Sequence, residues 1–181
     1  MDQKQFPLQQ GNLDFMCGTY AAINAMYIRE EIGSLDQAAI PFRLALMFMQ
    51  STRDWDLAQA ICFGIGEKDY LELLEALSWR DCSFFPDADY NASDDLFGKL
   101  EQLLQDGAGP VIVSLVDPGA EAFDPEEERD VIHYTVVNEV MPECLVIFDS
   151  QGDEPIERTG RDLKYQGTDV RLGCLYVMES K

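Results

Sequence analysis

The spacing of hydrophobic residues separates a first part of the chain with helical periodicity from a second part with strand-like runs. In the first part apolar side chains recur every three or four residues, which is typical of helices that bury one side. This spacing predicts helices from residue 17 to 29 or 30 and over 37–50, 54–62, 67–79 and 94–105. The helix that begins at Cys17 is apolar around most of its circumference, so we expect it to be buried on nearly all sides. We expect a cap at 34–36 for the second helix, and Gly33 and Gly107 to end the first and last helices.

Beyond residue 109 the pattern changes to β-branched runs separated by turn formers. Residues 110–116 form such a run between Gly-Pro and Asp-Pro-Gly sequences, which is typical of a buried strand. Residues 131–140 and 144–149 flank a three-residue turn and predict a hairpin. A last strand is predicted over 172–178, and residues 83–86 fit either a short strand or a loop.

Helices followed by mostly antiparallel strands predict an α+β fold. The 181 residues fit one domain, with a helical part over about 1–107 and a sheet part over about 108–181. Hydrophobic residues make up 46% of the chain, which is enough for a folded core.

The charge balance narrows the range of partners. Lys and Arg number 13 against 34 Asp and Glu, so the formal net charge is −21. Such a surface repels phosphate groups, and we therefore expect neither nucleic acid nor an anionic membrane as a partner. It is compatible with a basic peptide or protein, and equally with a solvated acidic surface that has no specific partner.

The five cysteines do not form a recognisable framework. They are an odd number with no repeated spacing, so we expect no disulfide scaffold, no zinc site and no cofactor: Cys17, Cys62, Cys82, Cys144 and Cys174. The first residues lack the apolar segment of a secretory signal, and no run approaches the roughly 18 apolar residues of a membrane span. We expect a cytoplasmic protein, and export without a cleaved signal, as for injected bacterial effectors, is compatible with this pattern.

Cys17 is a candidate nucleophile because it lies at the start of a predicted helix. The unpaired N–H groups and the dipole of a helix N-terminus favour a thiolate there. Free cysteines are also often packed in protein cores, so reactivity requires a base beside the thiol. The sequence contains only one histidine, His133, which makes it the one imidazole that can serve.

Asp149 and a glutamine near the N-terminus complete a candidate catalytic group. In the predicted hairpin the start of one strand lies beside the end of the other, so we expect Asp149 to be a neighbour of His133. A carboxylate there fixes the tautomer and orientation of the imidazole. The backbone N–H of Cys17 and the side-chain amide of Gln10 or Gln9 are candidate donors to an oxyanion.

These motifs occur in an order known from one superfamily. Along the chain the sequence presents Gln10, Cys17-Gly18 at a helix start, the strand residues 109–113, the segment 133–137 and the segment 146–149. The chain thereby resembles the papain-like cysteine peptidases, most closely the compact bacterial domains that process leader peptides in bacteriocin export. The resemblance covers residues 10–27 and 109–150.

The resemblance implies a papain-like fold, with Cys17 as nucleophile, His133 as base, Asp149 as orienting acid and Gln10 as oxyanion donor. In the superfamily the glutamine precedes the cysteine by six positions, whereas Gln10 precedes Cys17 by seven, so Gln9 and a reshaped loop before Cys17 both stay open as alternatives.

The expected reaction is hydrolysis of a peptide or amide bond through a thioester. Glutamine deamidation and acyl transfer use the same residues. A non-catalytic acidic binding module, and a structural domain that packs Cys17 and His133 in its core, stay open as alternatives. The sequence does not specify the substrate or the oligomeric state.

Overall fold

The computed structural model of the chain describes residues 7–10, 16–51, 67–77, 82–86, 96–117, 131–152, 154–159 and 162–178. The predicted helix at 54–62 and the acidic segment 121–130 lie outside the described residues. The described part contains four helices and seven strands: α1 (Cys17–Ile28), α2 (Leu35–Ser51), α3 (Glu67–Ala76), β1 (Cys82–Pro86), α4 (Leu96–Gln105), β2 (Val111–Val116), β3 (Val131–Val140), β4 (Cys144–Phe148), β5 (Ile156–Thr159), β6 (Asp162–Tyr165) and β7 (Thr168–Met178).

The sheet confirms the predicted α+β class and adds a feature that the sequence did not predict. The seven strands follow the order β1-β7-β2-β3-β4-β5-β6 and every neighbouring pair is antiparallel. A further pairing joins β6 to β7, so that strands β2 to β7 close into a six-stranded barrel. Closure leaves these six strands with neighbours on both sides, which removes the exposed edges of an open sheet.

Alternation of side chains along the strands produces two cores. Val111, Val113 and Val137 belong to a cluster that fills the barrel and also contains Leu96 and Leu100 of α4. The intervening residues point the other way, into a second cluster formed with α1, α2 and α3; its strand members include Ile112, Tyr134, Val136 and Tyr176. The helices therefore cover one side of the barrel wall, and α1 is held against β3, the strand that carries His133.

The described helices begin and end within about three residues of their predicted bounds, the largest difference being the end of α3 at Ala76 rather than at residue 79. Ser34 caps α2, because its hydroxyl accepts a hydrogen bond from the N–H of Gln37 at 3.3 Å. Gly107 follows α4 with a φ of 74°, the left-handed conformation that ends many helices. The prediction that Gly33 ends α1 is wrong: α1 ends at Ile28, and Glu30 adopts the left-handed conformation, with a φ of 60°.

Three strands add to the predicted set, and one of them, β1, confirms the strand alternative for residues 83–86. Strand β1 lies in the helical part but pairs with β7 at the other end of the chain. Strands β5 and β6 were not predicted, because each has four residues and only one or two of them are buried. Such short, mostly polar segments are stabilised by pairing with neighbouring strands, and local sequence carries little sign of this.

Candidate active site

Cys17 is the first residue of α1 and lies beside a group of buried aromatic rings. Its side chain is half-buried, and the next residue, Gly18, is fully enclosed. The hydroxyl of Tyr70 donates a hydrogen bond to the carbonyl oxygen of Gly18 at 2.8 Å. The ring of Tyr70 packs on Tyr134, with 4.2 Å between ring centroids. The start of α1 is therefore fixed by contacts from both α3 and β3.

His133 and Asp149 meet as predicted: His133 lies on β3, and Asp149 directly follows the adjacent strand β4. The ladder pairs Val136 with Phe148, which puts Asp149 level with Thr135 and one diagonal step from His133. Nε2 of His133 lies 3.0 Å from Oδ1 and 2.8 Å from Oδ2 of Asp149. An ionised carboxylate can only accept hydrogen bonds, so Nε2 carries a proton and Nδ1 is the nitrogen left to face other groups.

The charge state of His133 is set by two side chains. Burial opposes the charged imidazolium and lowers the pKa, but hydrogen bonding to Asp149, the contact with Cys17 and the negative charges of both raise the pKa of His133 to about 9. Within the described ranges, Nδ1 is buried and makes no hydrogen bond of standard geometry. Cys17 is nevertheless close enough to the imidazole to raise its pKa. Loose contacts of this kind are common between catalytic groups in the absence of substrate.

Asp149 is held by donors from two directions besides His133. The backbone N–H of Gln151 donates to Oδ1 at 2.6 Å, and the hydroxyl of Tyr165 donates to the same oxygen at 3.3 Å. The ring of Tyr165 also stacks on His133, with 5.2 Å between centroids and an angle of 8° between the planes. Burial and the negative charge of Asp149 raise the pKa of Tyr165, which therefore remains a donor at neutral pH. These contacts fix both the carboxylate and the imidazole in one orientation.

The segment that carries Gln10 runs beside this pair. The backbone N–H of Gln10 donates to the carbonyl oxygen of Ser150 at 2.8 Å, directly after Asp149. Gln10 is half-buried, with a buried Oε1, whereas Gln9 is exposed. This difference favours Gln10 over Gln9 as the glutamine that approaches the site.

All four residues predicted for the site thus lie in one region: His133 contacts Asp149 and Cys17, and Gln10 is bonded to the residue after Asp149. Sequence reasoning missed Tyr165, which belongs to the unpredicted strand β6. A signal was present, because Asp162-Leu163-Lys164-Tyr165 alternates polar and apolar residues before a Gln-Gly turn.

The raised pKa of His133 predicts that stability falls with rising pH. A group whose pKa is higher in the folded protein stabilises it below the unfolded value, here about 6.5, and this stabilisation disappears as pH rises through about 9. The shift corresponds to about 3 kcal/mol of unfolding free energy. Urea unfolding of the wild type and of His133→Gln across this range measures the effect. The loss should be confined to the wild type, and equal slopes for the two proteins would argue against a charged His133.

Gly18 is predicted to tolerate no side chain. A Cβ atom there would lie 2.8 Å from Cε2 of Tyr70 and 3.3 Å from Cδ2 of Tyr134, two rings that are fixed by their packing. Overpacking of this kind costs about 1–3 kcal/mol, more than the gain of up to about 1 kcal/mol in helix propensity. Gly18→Ala should therefore lower the unfolding free energy. The matched variant Gly33→Ala, whose nearest contact would be at 3.6 Å, should change it by less than about 0.5 kcal/mol, as thermal or urea unfolding will show.

Comparison with known proteins does not assign the chain. No model of a protein family matches the sequence, and no curated protein matches it. Among the described helices, none combines the length and the apolar character that crossing a membrane requires. Within the described ranges, no three Cys, His, Asp or Glu side chains are grouped as a metal ion would need.

Proposed function

We propose that this protein is a cysteine hydrolase of papain-like type that cleaves a peptide or amide bond through a thioester on Cys17. One observation carries the proposal: the only histidine of the chain is buried, is bonded through Nε2 to a carboxylate, and lies close enough to Cys17 for that side chain to raise its pKa. A nucleophile, a base and an orienting acid in contact with one another are the parts that thiol acylation needs.

Each residue has a distinct role in the proposed reaction. At neutral pH the proton of the Cys17 thiol already resides on Nδ1 of His133, because the pKa of about 9 favours the imidazolium. The sulfur then attacks the carbonyl carbon of the substrate. The backbone N–H of Cys17 and the side chain of Gln10 donate to the resulting oxyanion. Collapse breaks the C–N bond, and His133 returns its proton to the leaving amine.

The second half of the reaction releases the acyl group. His133 takes a proton from water, which attacks the thioester carbon, and the C–S bond breaks to give a carboxylic acid and the free thiol. Asp149 holds Nε2–H throughout, so that Nδ1 always faces the reacting atoms. The order of Gln10, Cys17, His133 and Asp149 along the chain, with a helix that opens at the cysteine and packs on antiparallel strands, supports a papain-like arrangement.

The net charge of −21 favours basic peptides as substrates, since opposite charge speeds association.

A peptide mixture derived from a whole proteome, incubated with the protein and analysed by mass spectrometry, tests the proposal. New peptide termini support a peptidase, conversion of Gln to Glu without cleavage supports a deamidase, and joining of amines to acyl groups supports an acyltransferase. The same mixture with Cys17→Ala is the control, and products that are equally abundant with this variant would refute a thioester on Cys17.

A further inference from the structure

Asn24 is the polar residue inside an otherwise apolar stretch of α1, and its side chain is fully buried. A buried amide without partners costs about 1–3 kcal/mol, so its presence calls for specific hydrogen bonds. Both of its polar groups bond to the backbone of one residue on the N-terminal segment. Oδ1 accepts from the N–H of Leu8 at 2.7 Å, and Nδ2 donates to the carbonyl oxygen of Leu8 at 3.4 Å.

These two hydrogen bonds to Leu8 fix both the direction and the position of the N-terminal segment. A side-chain amide that satisfies both the N–H and the C=O of a residue acts on that residue as a neighbouring strand would. The side chain of Leu8 also packs against a small cluster built around Ile23, Ile32 and Ala38. Two residues later, the N–H of Gln10 bonds to Ser150. The segment is therefore held at Leu8 by α1 and at Gln10 by the residue after Asp149.

Helix geometry relates this contact to the nucleophile. Asn24 follows Cys17 by seven residues, which is about two turns and about 10 Å along the axis, on nearly the same side of the helix. Two extended residues from Leu8 to Gln10 span up to about 7 Å, and the long side chain of Gln10 adds to this reach. One rigid helix thus carries both the thiol and the contact that fixes the segment of Gln10.

We propose that Asn24 is a positioning residue, which holds Leu8 so that the amide of Gln10 donates to the oxyanion formed at Cys17. This inference rests on the proposed function and deepens it, because it assigns how the oxyanion donor is fixed. Asn24 does not touch the reacting atoms. Its effect is therefore expected only in steps that generate an oxyanion.

Two reactions of the Cys17 thiol distinguish a positioning role of Asn24 from a purely structural role. With p-nitrophenyl acetate the sulfur attacks the ester carbonyl, an oxyanion forms, the C–O bond to nitrophenolate breaks and an acetyl thioester remains. With iodoacetamide the sulfur displaces iodide from a CH₂ group and no oxyanion forms. Loss of one oxyanion donor costs about 10²–10³ in rate for the first kind of reaction, and the second kind does not depend on such a donor.

Asn24→Leu keeps the size of the side chain and removes both hydrogen bonds. We expect it to slow acylation of Cys17 at least about tenfold while the rate of alkylation changes little. Gln10→Ala should show the same split. The double variant should be no slower than Gln10→Ala, because residues that act as one unit are not additive.

Asn24→Asp provides a second test, which applies even if the protein does not fold with Asn24→Leu. A protonated Asp accepts from Leu8 N–H and donates to Leu8 C=O, as Asn does, whereas the ionised form cannot donate. The acylation rate of Asn24→Asp relative to wild type should therefore rise as pH falls. Equal losses of acylation and alkylation in Asn24→Leu, or a pH-independent ratio for Asn24→Asp, would overturn the positioning role. If wild-type acylation depends on Cys17 and His133 but not on Asn24, this inference fails alone; if it depends on neither Cys17 nor His133, the proposed function fails with it.

Discussion

His133→Gln is expected to slow the acylation of Cys17 by p-nitrophenyl acetate by about 10²-fold or more, the effect of losing a positioned general base. Gln cannot take a proton from the thiol or carry the positive charge that stabilises a thiolate. The chain contains no second imidazole that substitutes for His133. The release of nitrophenolate, followed in a stopped-flow spectrometer at neutral pH, measures this rate.

The matched variant for this measurement is Asp149→Asn. Its side-chain oxygen still accepts from Nε2–H and holds the ring, but it lacks the negative charge that helps raise the pKa of His133. We expect a rate between those of the wild type and His133→Gln. The reactivity of Cys144, on the far end of the β3–β4 hairpin, should be the same in all three proteins. A wild-type rate in His133→Gln would exclude His133 as the base.

Asp149→Ala is expected to lower the free energy of unfolding by about 3–5 kcal/mol, the typical effect of removing one partner of a buried ion pair. His133 and Asp149 are each 1% exposed, so water does not replace the lost carboxylate efficiently. The change also removes the acceptor of the Gln151 N–H and, among the described residues, leaves the Tyr165 hydroxyl with only the more distant Oε1 of Gln151, at 3.5 Å. Urea unfolding near pH 7 measures the loss.

Tyr165→Phe is the matched control, since it keeps the stacked ring and the carboxylate of Asp149 and removes only the hydroxyl, which bonds to Asp149, Gln151 and Gln166. It should cost about 1 kcal/mol. At a pH above about 9 the wild-type His133 loses its charge, and the difference between Asp149→Ala and wild type should shrink. A loss below about 1 kcal/mol for Asp149→Ala at neutral pH would show that the pair is not an ion pair in a buried site.

The meeting of His133 and Asp149 could be predicted because the hairpin fixes it locally. The turn after Val140 brings the start of β3 beside the end of β4. A β-bulge between Val137 and Glu139, which the sequence did not predict, then shifts the register by one residue and places Asp149 level with Thr135, on the face of His133. The helix start at Cys17 is likewise a local feature, marked by a long apolar run. The contact between Cys17 and His133 joins residues that are far apart in the sequence. It was predicted from chemistry, because a thiol nucleophile needs a base and His133 is the only imidazole in the chain.

The contacts that complete the site could not be predicted because they are non-local. Tyr165 reaches His133 only through the closure of the barrel by the pairing of β6 with β7. Asn24 is a polar residue on a buried helix, and its partner Leu8 lies on a segment without secondary structure of its own. The preference for Gln10 over Gln9 follows from the burial of the Gln10 side chain on a segment that a backbone hydrogen bond holds to Ser150. None of these pairings has a periodic signature in the sequence.

The reactivity of the five cysteines toward iodoacetamide tests the central claim most directly. The native protein is alkylated at a series of pH values, and the modified residue is identified by peptide mapping and mass spectrometry. We predict that Cys17 reacts much faster than Cys62, Cys82, Cys144 and Cys174, and that His133→Gln removes this advantage. Similar slow rates for all five cysteines, unchanged in His133→Gln, would contradict a thiol nucleophile at the start of α1.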